Sequence, residues 1–196
     1  MVLLSLTANI MNWFTPKTKN TQTRLLTTAE ITKFTMLGTL MFCSKIIMEW
    51  IPNVHLLGMF TMVYTLVYRK KALIPIYVYV MLNGVFAGFS PWWIPYLYIW
   101  TILWGITMLL PPKIPVKVAA IVYPIICALH GFLFGTMYAP TQAIMFGYDF
   151  KTMLAWIGAG FYFDILHAIG NFALGFLIVP LSNTLKKAHK TAGKEN

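Results

Sequence analysis

The strongest constraint on this chain is a series of long apolar stretches separated by short basic or aromatic connections. Only 10% of its 196 residues are charged and 59% are hydrophobic, whereas roughly 25% of a soluble domain is charged. The composition therefore predicts an integral membrane protein. Its length suits one compact bundle of five to seven spans, with little left for a soluble domain.

Six stretches are apolar enough to cross a bilayer, which takes about 20 residues of helix. They are expected over residues 31–50, 54–68, 72–89, 93–110, 116–138 and 152–181. The second and third are short, so tilt or shielding by neighbours is expected, and the sixth should project beyond the membrane. The predicted fold class is therefore an all-α integral membrane bundle of six transmembrane helices.

The remaining residues predict two flanking segments around the membrane domain. Residues 1–29 are expected to be cytoplasmic or interfacial, because residues 1–14 are too short to span and lack the features of a signal peptide. Residues 30–185 form the predicted membrane domain, and residues 186–196 form a basic cytoplasmic tail.

The positive charges predict how the bundle is oriented. The chain has fifteen Lys and Arg residues against five acidic ones, and the basic residues cluster at the ends of apolar stretches. With the N-terminus inside, every short basic cluster falls on one side, as the positive-inside rule requires. The cytoplasmic side then receives Lys17, Lys19, Arg24, Arg69, Lys70, Lys71, Lys113, Lys117, Lys186, Lys187, Lys190 and Lys194. Both termini are thus predicted to be cytoplasmic, in a plasma membrane, and the charge gives no reason to expect nucleic acid.

Several polar residues are predicted near the bilayer midplane. Asp164, His167 and Asn171 share one helical face at i, i+3 and i+7. Asp164 lies roughly 18 Å into its span, His130 roughly 21 Å and Asn83 roughly 17 Å, within a core roughly 30 Å thick. Because a carboxylate facing lipid is costly, this face should meet protein or a cavity. His130 and Asp164 could then form a pair that fixes helix register, line a ligand pocket or relay protons, while Asn171 should hydrogen-bond between helices.

The connections on the other side are aromatic and contain proline: EWIPNVH, SPWWIPY and MYAPTQAIMFGYD. Their rings suit either interfacial anchors or the rim of an outward-facing pocket. Lys45 and Glu49, at i and i+4, suit a local ion pair or a contact with ligand from the rim. His55 suits a rim contact or an interfacial position.

Motifs for enzymes and metals are missing from the sequence. There is no GxSxG, Walker A, HExxH or CxxC pattern, so we expect no catalytic residue, no metal and no cofactor. ATP hydrolysis would need partner subunits. Cys43 and Cys127 lie inside apolar stretches, as small packing residues do.

Small residues recur every four positions in the first span. Thr35, Thr39 and Cys43 form a small-xxx-small face that lets another helix approach closely. This face suits either packing within the bundle or docking of another membrane subunit.

The sixth span carries a run that resembles a known family. It reads Asp164-Ile165-Leu166-His167-Ala168-Ile169-Gly170-Asn171-Phe172, followed by Val179-Pro180-Leu181. Together with six spans in under 200 residues and a basic tail, this run is similar to substrate-binding S components of energy-coupling factor transporters, which are bacterial importers. The resemblance implies a vitamin or precursor as cargo, and as partners a transmembrane coupling protein and two ATPase subunits. The family's docking face is Ala-x-x-x-Ala, whereas this chain has Thr35, Thr39 and Cys43.

The sequence therefore predicts a membrane-embedded binding subunit for a ring-containing nutrient, up to the size of a corrinoid such as cobalamin. The substrate-binding residues predicted are Glu49, His55, Asn83, Trp92, Trp93, Tyr96, His130, Asp164 and His167. The rival interpretations are a structural membrane scaffold of the MreD type, which needs no polar pocket, and a small proton-coupled carrier.

Overall fold

The structure is a computed structural model that describes residues 26–111 and 114–192. Within these ranges the chain is helical and contains no strand, which confirms the all-α part of the predicted fold class. The helices are α1 (Thr28–Ile47), α2 (Leu57–Tyr68), α3 (Leu73–Ala87), α4 (Tyr96–Leu109), α5 (Val116–Phe132), α6 (Phe134–Phe146), α7 (Phe150–Gly175) and α8 (Ile178–Ala192). Predictions for residues 1–25, Lys113 and Lys194 lie outside the described residues.

Four helical segments of the described chain are long and apolar enough to cross a membrane. They are Thr28–Trp50, Leu57–Ala87, Val116–Phe146 and Phe150–Gly175. Helix α4 is shorter but also apolar. Many large apolar side chains face outward, among them Val85, Ile121 and Ile144, which are 71%, 63% and 84% exposed. An outer surface of this kind suits lipid, as the composition predicts.

The chain reverses direction at Arg69, where φ is +54°. The Trp104 Nε1 donates to the carbonyl oxygen of Arg69 at 3.1 Å. Farther along α3, the Trp93 Nε1 donates to the carbonyl oxygen of Val80 at 2.8 Å. Because residue 69 meets residue 104 while residue 80 meets residue 93, α3 and α4 are antiparallel neighbours.

Helix α2 is the core of the bundle. It has 12 residues, so it is only about 18 Å long. Met62, Tyr64 and Thr65 are among its fully buried side chains, and its neighbours are α4, α5, α7 and α8. Helix α2 is therefore shielded by its neighbours.

Helices α5 and α6 run antiparallel to α7 and pack closely against it. A β-carbon at Gly175 would lie 2.5 Å from the Pro124 Cα, so only glycine permits this approach. One turn away, the Asn171 Nδ2 donates to the carbonyl oxygen of Cys127 at 3.1 Å. The prediction that Asn171 hydrogen-bonds between helices is confirmed.

The predicted sixth span is interrupted in the structure. Residues 152–181 belong to two helices, because α7 ends at Gly175 and α8 begins at Ile178. Pro180 has no N–H with which to continue the α7 hydrogen bonds, but it is tolerated in the first turn of a new helix. Helix α8 packs on α2 and α5.

The basic residues of several elements meet at one end of the bundle. The Tyr68 ring lies 5.1 Å from the Lys33 Nζ and 5.3 Å from the His189 ring. This contact brings together the start of α1, the end of α2 and the last turns of α8. We call this region the basic end and define it by Lys33, Arg69, Lys70, Lys71, Lys186, Lys187 and Lys190. At the opposite end of α1, the Lys45 Nζ lies 3.7 Å from the Glu49 Oε1, which is the predicted ion pair.

Candidate functional site

A cavity of about 420 Å³ opens at the end of the bundle opposite the basic end. The connection between α1 and α2, the start of α4, the start of α6 and the first half of α7 all contribute to it. Its lining residues are Asn53, Tyr96, Phe134, Gly135, Tyr138, Trp156, Gly160, Phe163 and Asp164. Its volume lies within the range of about 300–1,000 Å³ that is typical of small-ligand pockets.

The space exists because α7 carries small residues where it faces the cavity. Trp156, Gly160, Phe163 and Asp164 are spaced i, i+4, i+7 and i+8, so they share one helical face. No atom lies within 4 Å of a β-carbon built at Gly160. Glycine therefore leaves open volume between the Trp156 ring and the Asp164 carboxylate.

Asp164 is the one acidic residue among the described residues of the cavity wall, and it is only 6% exposed. Its Oδ1 accepts the backbone N–H of Gly135 at 2.9 Å. Gly135 is the second residue of α6, so the carboxylate meets the positive end of that helix dipole. Within the described part of the chain, no basic side chain forms an ion pair with Asp164.

Aromatic rings form most of the remaining wall. The Tyr138 ring stacks on Phe134 at 6.0 Å and on Trp156 at 6.1 Å, the latter pair only 13° from parallel. Tyr96 meets Tyr138 edge to face at 6.4 Å. The Tyr138 hydroxyl donates to the backbone carbonyl of Trp92, which ties α6 to the residues before α4. The wall is thus a connected set of rings rather than separate side chains.

Three histidines lie next to this wall, and we call His55, His130 and His167 the histidine layer. The Phe134 ring, which lines the cavity, lies 4.9 Å from His167 and 6.3 Å from His130. His167 meets His55 edge to face at 4.6 Å. The Nε2 of His130 bonds the carbonyl oxygen of Ile99 at 3.1 Å. The face of α7 that carries Asp164 therefore continues into a buried polar region.

Several buried polar atoms around this region have no hydrogen-bond partner within the described residues. They are Nδ1 of His55, Nδ1 of His130, Nε2 of His167, Nε1 of Trp100, the hydroxyl of Tyr79 and both amide atoms of Asn83. An unmet buried polar atom costs about 1–3 kcal/mol. Buried polar groups in proteins are nearly always hydrogen-bonded, either to protein or to ordered water.

Two titratable groups lie in the connections between the apolar helices. Burial lowers the pKa of His55 from 6.5 to about 4, so this histidine is neutral at physiological pH. Asp149 caps α7 by accepting the Thr152 N–H at 2.8 Å, and its hydrogen bonds with Thr152 lower the pKa of its carboxyl.

The predicted binding residues fall into four groups. Tyr96 and Asp164 line the cavity. His55, His130 and His167 form the layer beside it, and Asn83 is fully buried on α3. His130 and Asp164 are not hydrogen-bonded to each other, since their partners within the described chain are Ile99 and Gly135.

The other three predicted binding residues lie away from the cavity lining. Glu49 is exposed in its pair with Lys45. Trp92 packs edge-on against Tyr96 at 5.7 Å, and Trp93 meets Phe89 at 4.9 Å.

The predicted docking residues lie on the outside of α1. Thr35, Thr39 and Cys43 are exposed and line a surface groove with Met36, Leu37 and Leu40. Within the described chain they do not serve helix packing, which leaves this face open to lipid or to another subunit.

Seven residues that line the cavity are not among the predicted binding residues: Asn53, Phe134, Gly135, Tyr138, Trp156, Gly160 and Phe163. A signal for three of them was present, because Trp156, Gly160 and Phe163 share the helical face of Asp164. Phe134, Gly135 and Tyr138 carry no such signal, because their place on the wall depends on how α6 turns after Leu133. Asn53 lies in the connection before α2, where helical periodicity does not apply.

The described residues contain no group of three or more His, Cys, Asp or Glu side chains arranged to hold a metal ion. Comparison with protein-family models, with curated proteins and with solved structures finds no significant match. The function must therefore be argued from the cavity and its surroundings.

Proposed function

We propose that this chain is the substrate-binding subunit of a membrane importer, of the S-component type, and that it captures a small nutrient in the aromatic cavity. The observation that carries the proposal is the cavity itself. It combines a volume of about 420 Å³ with one buried carboxylate and a connected aromatic wall. Sites for small molecules typically have an apolar lining and a few placed polar groups.

The distribution of charge supports an outward-facing cavity. Arg69, Lys70 and Lys71 lie at the basic end together with the lysines of α8. By the positive-inside rule this end faces the cytoplasm. The cavity opens at the other end, where a binding subunit for uptake would receive its ligand from outside.

The course of the chain supports six passes with both termini inside. Helix α1 leaves the basic end, α2 returns to it at Tyr68, and α3 and α4 repeat the excursion as an antiparallel pair. Helix α5 continues into α6 toward the cavity, and α7 leads back to α8. In this proposal α2 counts as a pass although it is shielded from lipid.

The binding subunit would act with a transmembrane coupling protein and two ATPases, because this chain has no ATPase motif of its own. The exposed face of Thr35, Thr39 and Cys43 is the proposed contact with the coupling protein. Close approach of another helix is easiest where side chains are small.

A cavity-filling variant tests the proposal. Purified wild-type protein should retain a small molecule that native mass spectrometry detects after release from detergent. Gly160→Leu should lose that molecule, because the leucine side chain grows into the cavity at a position where no atom lies within 4 Å. Gly158→Leu is the matched control, since a β-carbon there also meets nothing within 4 Å but the residue does not line the cavity.

The same experiment separates the proposal from a structural scaffold. If no vitamin or precursor raises the thermal stability of the wild type and no molecule co-purifies, the binding function is wrong. Equal retention by Gly160→Leu and Gly158→Leu would show that a ligand binds elsewhere.

A further inference from the structure

We propose that the cavity selects a ring-containing organic cation, bound between the Asp164 carboxylate and the aromatic wall. This inference rests on the proposed function and specifies the chemical class of its ligand. It follows from the charge left unpaired in the cavity and from the kind of side chains that surround it.

The protein compensates the charge of Asp164 only in part. The residue is 6% exposed, and its one hydrogen bond within the described residues is the Gly135 N–H to Oδ1. Oδ2 has no such partner there. A buried carboxylate with a single donor is only partly compensated, because burial removes most of its hydration. A cationic or strongly donating ligand group would complete its interactions.

The cavity wall offers no competing positive charge among its described residues. None of these lining residues is Lys, Arg or His, and no described basic side chain forms an ion pair with Asp164. A negative ligand would meet an uncompensated carboxylate at close range and would be repelled. A positive ligand would be attracted without displacing a protein cation.

The aromatic rings of the wall also favour a cation. Tyr96, Tyr138 and Trp156 are the residue types whose faces attract cations through their quadrupoles, at distances up to about 6 Å from the ring centroid. Tyr138 and Trp156 lie nearly parallel, at 13°, and both belong to the same wall as Asp164. An aromatic wall with one carboxylate favours a cation that also carries a flat ring, since the ring can stack on the wall while the charge meets Asp164.

The experiment uses three probes of similar size and different charge: phenyltrimethylammonium, benzyl alcohol and benzoate. Binding to the full-length protein in non-ionic detergent is measured by isothermal titration calorimetry at pH 7. Phenyltrimethylammonium should bind saturably, and benzoate should not. Asp164→Asn keeps an oxygen that can accept the Gly135 N–H but removes the charge, and it should raise the Kd for phenyltrimethylammonium at least about 10-fold.

Two controls make the result specific to the cavity. Asp149→Asn removes a carboxylate from the same end of the molecule, outside the cavity, and should change the Kd less than about 2-fold. Gly160→Leu should abolish phenyltrimethylammonium binding, whereas Gly158→Leu should leave it intact.

The outcomes separate this inference from the proposed function. If benzyl alcohol or benzoate binds as tightly as phenyltrimethylammonium, and Gly160→Leu abolishes that binding, the cavity is a ligand site and the cation preference is wrong. An unchanged Kd in Asp164→Asn also overturns the preference. So does a co-purified molecule that is neutral or anionic at pH 7 and is lost in Gly160→Leu, which would leave the binding function standing.

Discussion

The two halves of α7 use small residues in opposite ways. Toward the basic end, Gly175 lies where a β-carbon would come within 2.5 Å of the Pro124 backbone. Toward the cavity, a β-carbon at Gly158 or Gly160 would have no atom within 4 Å. The half of α7 toward the basic end is packed, and the half toward the cavity is open. Glycine in an apolar helix thus marks close helix packing at one place and free volume at another, and the sequence alone does not separate the two.

Replacing a glycine by alanine in each half of α7 tests this difference directly. Gly175→Ala should lower the free energy of unfolding by about 2–3 kcal/mol, because the added carbon overlaps backbone atoms of Pro124 that cannot move cheaply. Gly158→Ala should raise it by up to about 1 kcal/mol through helix propensity. Thermal unfolding of both variants in detergent measures the difference. Equal midpoints would mean that the packed half is looser than the contacts indicate.

The second largest effect on stability is expected from acid, which acts through His55 in the connection between α1 and α2. The pKa of His55 is about 4 in the folded protein, because of burial, and 6.5 when unfolded. The unfolded chain therefore binds more protons between these values, so stability is complete above pH 6.5 and falls as the pH drops toward 4. The expected contribution is roughly 1–3 kcal/mol.

Chemical unfolding at pH 7 and at pH 4.5 measures this loss, with His55→Asn as the comparison because the other histidines remain in both proteins. Wild type should lose more stability than His55→Asn over this interval. An identical loss in the two proteins would show that His55 is freely protonated in the folded state.

The hydrogen bond between Asn171 and Cys127 should contribute less to the free energy of unfolding than the two effects above. Asn171→Leu removes the bond from Nδ2 to the Cys127 carbonyl, and should lower the free energy of unfolding by about 1–2 kcal/mol. The midpoint of thermal unfolding checks this value. No change would indicate that the α5–α7 contact depends on shape alone.

The smallest effect on stability is expected for Asn83. Asn83 is fully buried, and neither amide atom is hydrogen-bonded to a described residue. Asn83→Leu should therefore leave stability unchanged or raise it by up to about 1 kcal/mol in ligand-free protein. The same unfolding assay tests it beside Asn171→Leu. A loss as large as that of Asn171→Leu would mean that Asn83 has a stabilising partner in solution.

The bounds of the helices could be predicted from the sequence more accurately than the lining of the cavity. Apolar stretches at residues 72–89 and 93–110 correspond to α3 and α4 within a few residues, because proline, glycine and charge mark their ends. The breaks at Leu133 and at Phe176 were not anticipated. The first has no proline at the break, and at the second Pro180 lies four residues beyond it in an otherwise apolar run.

The candidate site could be predicted where a polar residue interrupts an apolar helix. Asp164 and Asn171 were predicted to face protein rather than lipid, because they are polar residues in an apolar helix. Both are buried in the structure. Phe134 and Tyr138 did not stand out, because their position on the cavity wall depends on how α6 turns relative to α5 after Leu133. That turn is a tertiary feature with no local pattern.

The burial of α2 also bears on how the protein is made. At 12 residues this helix is shorter than the roughly 20 needed to cross a bilayer alone, and Thr61 and Thr65 lie in its buried surface. The helices that cover it include α5 and α8, which are synthesised much later. Because α5 and α8 follow α2 along the chain, the buried surface of α2 is fully covered only after α8 has been synthesised.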